Sequence, residues 1–380
     1  MSVPPDRRSV VVTGVGLVSC VGEGGDPHLA AYASGGPPPV DGDTYAPYPV
    51  HPVAPLALDG QIPKKSDQRQ MEPWQRLGVY AAGLALDSAG VKDDAAFKAA
   101  LHLVVAAGGG ERDFAVDGAI LTGLRDAPEP GPYLNERLLN DLRPTLFLAQ
   151  LSNLLAGNIA IVHGVTGASR TFMGEEASGI DALRIAQARI ASGQVDAMMV
   201  GGSYSAERPD VMVVHELGGY LLKPTYRPVT ERGAPGGAVL GSAAAFLVLE
   251  TAEGARARGA QALAALGPVA SDRTGREPGG LARSIGHLVD AAGVTGPDVV
   301  LSVATGVAPI TAEEIEALRS LLPQAPVRAL GDLVGHPMEV AAPFGAALAV
   351  LLCASGQARE VAVTCVGHRR GEGVVRVTAA

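Results

Sequence analysis

NLLAGNIAIVHGVTGASRTFMGEEASGIDALRIAQARIASGQVDAMMVGG, residues 153–202, is the stretch on which the fold turns. It reads as loop, strand, sharp turn, Ala-rich helix and strand, with the helix over 177–193 stopped by Gly193. Its last run, VDAMMVGG (195–202), is almost continuously apolar, which predicts a strand covered on both faces. Runs of the same kind recur as SVVVTGV (9–15), LHLVVAAG (101–108), AAAFLVLE (243–250), VVLSVAT (299–305) and REVAVTCV (359–366). Between them, WQRLGVYAAGLALDSAG (74–90), TAEEIEALRSLL (311–322) and residues 340–355 predict helices, with Gly90 and Gly356 as stops. Strands alternating with helices predict an α/β protein with helices on both sides of its sheets.

Two segments break the pattern. The Pro/Gly-rich stretch Gly35 to Pro63 has no periodicity and reads as a surface loop, and Arg125 to Asn140 reads as a second irregular segment lying against a partner or over a pocket. LETAEGARARGAQALAAL (249–266) is a candidate linker. The halves it separates each end in strand, irregular loop and Ala-rich helix, a faint internal duplication without the short fixed period of a solenoid.

Composition narrows the function. A 380-residue chain that is 47% hydrophobic has a sizeable core, which excludes intrinsic disorder. Thirty Lys plus Arg against 39 Asp plus Glu give a net charge of −9, so nucleic acid is not an expected partner. The cysteines, Cys20, Cys353 and Cys365, are too few and too scattered for a disulfide framework or a zinc motif, so no metal site is expected and a reducing, cytoplasmic setting is. The N-terminus, MSVPPDRRSVVVTG, lacks the apolar run of a signal peptide. VAAPFGAALAVLLCASG (340–356) falls short of the ~20 apolar residues of a membrane span and carries a proline, so it reads as a buried helix. In TGVGLVS (13–19), Ser19 stands where a dinucleotide fingerprint has its third glycine, and the glycines read as tight-turn residues.

The 153–202 stretch also resembles the nucleophile region of the elongating β-ketoacyl-acyl-carrier-protein synthases, and the resemblance runs almost end to end. TGVGLVSCVG (13–22) is similar to that family's opening strand and turn, and MEPWQRLGVYAAGLALDSAGV (71–91) to its first long helix. PTYRPVTERGAPGGAVLGSAAAFLVLE (224–250) resembles the stretch before the second half, and LVGHPMEVAAPFGAALAVLLCA (333–354) the second histidine motif. The resemblance implies a thiolase fold, a five-layer α/β/α/β/α arrangement built from two similar halves, 1–250 and 251–380. It also implies a four-residue site. A cysteine at a helix N-terminus takes the acyl chain, while two histidines and a lysine stabilise the charge that develops as malonyl-carrier protein loses carbon dioxide.

Three of those four positions are changed here. Glu176, in FMGEEASGIDA (172–182), stands at the nucleophile. A helix N-terminus favours its charge, but a mixed anhydride is too labile to store an acyl group, so loading by the usual thioester route is excluded. Thr305 stands at the first histidine and Gly331 at the lysine. His336 alone remains, followed by Glu339 and Val340 in place of small residues; it is either a structural histidine bonding nearby backbone or one with residual acid–base work. In the family's C-terminal gate, here CVGHRRGEG (365–373), His368, Arg369 and Arg370 replace an aromatic and a glycine pair. That turn is either a solvated basic loop or a contact for phosphopantetheine or carrier protein. The three cysteines read as core thiols.

A retained scaffold without its chemistry resembles the chain length factors, silent ketosynthase-like subunits that pair with an active one and shape its acyl tunnel. The tunnel wall would come from 110–126 and 132–153, which ordinary homodimer packing would also use. Two alternatives stay open. Glu176 with His336 would decarboxylate malonyl-carrier protein, although an anionic Glu176 repels the substrate carboxylate; or the chain would be a homodimeric binding protein for acyl-carrier protein. In each case substrates arrive on the carrier's phosphopantetheine and no cofactor is tightly bound. Lys64, Lys65 and Arg69, or Arg369 with Arg370, are candidate contacts for an acidic carrier. Polyene or polyketide synthesis and very-long-chain fatty acid synthesis are equally compatible.

Overall fold

The computed structural model describes residues 8–110, 112–142, 146, 148 and 150–380. Ten strands carry the architecture: β1 (Val10–Ser19), β2 (His102–Ala106), β3 (Ser169–Phe172), β4 (Ala197–Tyr204), β5 (Ala243–Thr251), β6 (Ala264–Asp272), β7 (Val299–Ser302), β8 (Val327–Ala329), β9 (Glu360–Val366) and β10 (Glu372–Thr378). The main helices among the described residues from Pro73 onward are α1 (Pro73–Ser88), α2 (Phe114–Asp126), α3 (Pro130–Asn140), α4 (Leu154–His163), α5 (Glu175–Ala191), α6 (Pro209–Leu217), α7 (Gly280–Ala292), α8 (Ile310–Leu321) and α9 (Ala341–Ala354).

The hydrogen-bonded order is β3-β2-β4-β5-β1 followed by β6-β10-β9-β7-β8. The two sets of five meet only where Val11 and Val12 pair with Ala265 and Ala264. Each set repeats one plan, with two parallel pairings around β2 or β7 and antiparallel pairings through β5 or β10. Helices α5 and α9 pack against each other and against strands of both sets. Outside the first set lie α1 and α4; outside the second lie α7 and α8. Five layers result, and the three apolar clusters of the core fill the spaces between them.

The central layer explains the most apolar helix. All but two residues of α9 are buried, because it is covered by sheets above and below rather than by a membrane. Among the described residues no helix is long and apolar enough to cross a bilayer.

Several sequence expectations need correction. Gly14 and Gly16 sit inside β1, not in a tight turn: a Cβ would lie 2.3 Å from the Ala85 carbonyl and 2.0 Å from that of Ala81, so they let α1 approach the strand backbone. Residues 154–163 are helix rather than loop and strand, with Leu155, Ile159 and His163 turned inward four residues apart. Arg125 to Asn140 is not irregular; it holds the end of α2 and all of α3, opened by Pro130 at its first turn. The strand expected over 299–305 ends at Ser302. The proposed linker 249–266 is mostly the end of β5, a short helix (Ala252–Ala257) and the start of β6.

Gly16→Ala should lower stability by roughly 3 kcal/mol, because the new methyl overlaps backbone that cannot move. Gly118→Ala, exposed on α2 with nothing near its would-be Cβ, should be neutral or stabilise by up to about 1 kcal/mol. Urea unfolding of the two variants reads the difference.

Candidate functional site

Glu176 is the second residue of α5, at the end of the helix that the two sheets enclose, and it is fully buried. The chain reaches it through Gly174 at φ 116° and Glu175 at φ 45°, a left-handed conformation unusual for a residue with a Cβ. One carboxylate oxygen, Oε1, accepts two hydrogen bonds: from His336 Nε2–H at 2.8 Å and from His368 Nδ1–H at 2.9 Å. Burial alone would raise the Glu176 pKa. The two imidazole bonds outweigh it and hold the carboxyl well below the usual carboxylate range, so this is a buried anion. Its other oxygen, Oε2, has no partner among the described residues.

The histidines come from different elements. His336 follows Gly335, whose φ of 74° lets the loop pass the backbone of Gly241, and its own N–H bonds the Val239 carbonyl at 2.8 Å. Its ring bonds Glu176, not backbone. His368 lies in the turn between β9 and β10, which a bond from Gly367 N–H to the Gly371 carbonyl closes at 2.8 Å. It is buried, packed edge-on against Tyr220 with ring centroids 4.3 Å apart. Arg369, half exposed, lies 3.5 Å from Glu175 and over the Tyr220 ring, and Arg370 is exposed. The charged turn therefore splits: one residue faces inward to the anion, the next meets Glu175, and the third faces water.

Thr305 and Gly331 do not join this cluster. Thr305 is buried in the loop after β7; its hydroxyl accepts from Val307 N–H at 3.2 Å and its carbonyl from the buried Arg232 at 3.3 Å. A Cβ on Gly331 would lie 2.9 Å from a Val229 methyl. Among the described residues neither bonds Glu176, His336 or His368. The cysteines are buried thiols: burial pushes Cys20 up to about 12 and Cys353 to about 11, and raises Cys365 well above its ordinary value. None is poised as a nucleophile.

Sequence reasoning missed what surrounds the anion. Glu339 is a second buried carboxyl, raised to about 7 by burial first and then by Glu176 and Glu175 nearby. It borders a cavity of about 300 Å³ lined also by Trp74, Gly109, Tyr204, Arg208 and His215. Trp74 Nε1, Ser203 Oγ, Tyr204 Oη and Glu339 Oε2 have no hydrogen-bond partner among the described residues, so the cavity wall is polar. The one available signal was Glu339 itself, an acidic residue in an otherwise apolar helical run. The expected tunnel-wall segments hold α2 and α3, while residues 111, 143–145, 147 and 149 within them lie outside the described residues.

A further buried carboxyl, Glu314 on α8, accepts from Ser302 at 2.7 Å and Thr364 at 2.8 Å, on the adjacent strands β7 and β9. Burial dominates and raises it to about 7.

A duplicated five-layer scaffold, with one site residue at the start of the buried helix of the first half and another in the matching region of the second, is that of the thiolase-fold ketosynthases. Residues 7–255 match the family model described as Beta-ketoacyl synthase, N-terminal domain. The tetracenomycin polyketide synthase ketoacyl synthase beta subunit of Streptomyces glaucescens is 29% identical over 90% of this chain and 85% of its own length. The 3-oxoacyl-[acyl-carrier-protein] synthase 2 of Vibrio cholerae is 27% identical over 67% and 61%. Among solved structures, the ishigamide ketosynthase/chain length factor superposes with a TM-score of 0.80 at 23% identity, covering 98% of this chain and 100% of that one. The chain belongs to the β-ketoacyl synthase family.

Removing the anion should be costly, because it leaves two buried N–H donors without an acceptor. Glu176→Ala should destabilise the chain by about 3 kcal/mol, and Glu176→Gln, whose carbonyl still accepts both bonds, by markedly less, in denaturant unfolding. For Glu314 the folded-state pKa is raised, so its stabilising contribution is full below about pH 4.5 and is lost as pH rises through about 7, a swing of roughly 3 kcal/mol. Glu314→Gln should remove that component: the variant gains stability relative to the parent between pH 5 and 8 and shows no added gain above that.

Proposed function

We propose that this chain is a non-condensing, ketosynthase-like subunit that pairs with an active β-ketoacyl-acyl-carrier-protein synthase and helps set product length, on acyl groups delivered by carrier-protein phosphopantetheine in the cytoplasm. The observation that carries the reading is the buried Glu176 carboxylate, bonded by His336 and His368, at the position to which the family resemblance assigns the condensing thiolate. A carboxylate so held is a poor nucleophile, and its charge opposes both a malonyl carboxylate and the carbanion formed on its loss. Thr305 and Gly331 supply no positive charge or donor to offset that. The decarboxylase alternative is correspondingly disfavoured.

Two further features support pairing. Strand β3 is the outer edge of its sheet, hydrogen-bonded to β2 on one side only, and its first two residues are exposed. An unprotected edge is a template for another strand. Ten of the twelve large, exposed apolar side chains among the described residues lie between Phe114 and Leu217, including Leu139 on α3, Ile161 on α4, Met173 beside β3 and Leu217 on α6. Such exposure is uncommon on a monomer.

Partner names carry the same suggestion, since one relative is called a beta subunit and one structural neighbour a ketosynthase/chain length factor. The test is co-expression with a ketosynthase encoded beside this chain, native mass spectrometry, and an elongation assay. The expected outcome is a 1:1 heterodimer that elongates acyl-carrier protein while this chain alone is inert. An exclusive homodimer that releases carbon dioxide from malonyl-carrier protein would overturn it.

The edge gives a sharper prediction. Leu103 N–H bonds the Ala168 carbonyl and Ala107 N–H the Phe172 carbonyl, so by alternation the peptide groups of Ser169 and Thr171 face away from β2. Thr171→Pro removes only an outward N–H. It should leave the fold intact by circular dichroism and shift the mass distribution strongly from dimer to monomer.

A further inference from the structure

We propose that Glu175, His368 and His215 form a divalent transition-metal site at the wall of the 300 Å³ cavity, with Glu176 orienting His368 from behind and Zn²⁺ the ion best suited to the donors. His368 gives its Nδ1–H to Glu176 Oε1, which leaves a lone pair on Nε2. That nitrogen has no partner among the described residues, although the residue is 95% buried by its 5% exposure. It faces Glu175 Oε1 across 4.0 Å.

A buried imidazole fixed through one nitrogen by a carboxylate, with the other nitrogen bare, is the arrangement that metal-binding histidines adopt. His215 is prepared in the same way: its Nδ1–H is given to the Val211 carbonyl at 2.8 Å, leaving Nε2 as the lone-pair nitrogen, and its ring centroid lies 6.4 Å from that of His368. Glu175 and His215 both line the cavity.

Donor atoms of Glu175, Glu176 and His368 lie within 4.8 Å of one another. Ligands on a tetrahedral zinc are about 3.3 Å apart and two imidazole centroids roughly 5 Å apart, so closure requires shifts of about 1 Å. Glu175 has room for that, its side chain being 30% exposed. The charge balance favours a dication, since Glu175 and Glu339 line the cavity, Glu176 lies next to Glu175 in sequence, and Glu176 Oε2 and Glu339 Oε2 have no partner among the described residues. Two imidazoles and carboxylate oxygen suit zinc better than magnesium or calcium, which take oxygen alone.

The competing cation is Arg369, 3.5 Å from Glu175, which can rest on the Tyr220 ring when displaced. That competition separates a metal site from a purely structural cluster: without Arg369 the ion should bind more tightly.

The test uses the full chain, freed of metal by dialysis against chelator and titrated with Co²⁺, read by visible absorption, and with Zn²⁺, read by elemental analysis after gel filtration. One equivalent per chain is expected. Glu175→Gln, on a partly exposed side chain and so compatible with folding, should weaken binding at least roughly tenfold, as should His215→Ala. Arg369→Ala should tighten it severalfold, and His287→Ala, exposed on α7, should change nothing. Less than half an equivalent, or an affinity indifferent to Glu175→Gln and Arg369→Ala, would overturn the site. The measurement needs no partner subunit, so its failure would leave the pairing reading untouched, and the reverse holds.

Discussion

A carboxylate with no exposed surface sits in the first turn of a helix enclosed by two sheets, and its surroundings are organised by the need to satisfy that charge. Taking an ionised carboxyl out of water is strongly unfavourable unless donors replace the solvent. Here the replacement comes from three directions: the positive end of α5, the imidazole of His336 from the second half, and the imidazole of His368 from the turn between β9 and β10. Because those donors lie about 160 and 190 residues away in sequence, the ion cluster fastens the loops of the second half to the helix of the first. The Glu176 carboxylate is in this way a structural clasp between the two halves.

The glycines make the clasp possible. Gly335 passes against Gly241 where any Cβ would collide, and Gly367 lets the His368 turn close over Glu176, since a Cβ there would lie 3.2 Å from Oε2. Strain at Glu175 belongs to the same geometry, as the chain must leave β3 and enter α5 within three residues. These are requirements of the backbone itself, independent of which side chain stands at the helix start.

The sequence exposed the layers well and the site only in part. Near-continuous apolar runs located most strands, because a strand buried on both faces has no polar positions to hide. Residues 154–163 misled for the mirror-image reason: Ile159, Ile161 and Val162 favour strands by type, while the inward spacing of Leu155, Ile159 and His163 is helical, and tertiary packing followed the spacing. Gly14 and Gly16 looked like turn residues because glycine's role as a point of close approach depends on a helix about 70 residues away. Glu176 and His336 were singled out by their motif positions. Their bond, and the inward turn of His368 just ahead of two arginines, depend on loop closure that leaves no local pattern.

That last difference bears on how a degenerate site should be judged. Set against the positions that the family resemblance implies, Glu176, Thr305 and Gly331 count only as mismatches. The geometry instead shows a filled site: the turn between β9 and β10 brings His368 to Glu176, Glu339 adds a second buried carboxyl, and polar atoms of Trp74, Ser203 and Tyr204 line the cavity without partners among the described residues. Decay by chance removes interactions one at a time and leaves buried charges uncompensated, each at several kcal/mol. Here the buried acid is met by donors from two other elements, His336 and His368, and losing either leaves its charge less compensated. That coupling is why the cavity beside Glu176 is where this chain's own chemistry is to be sought.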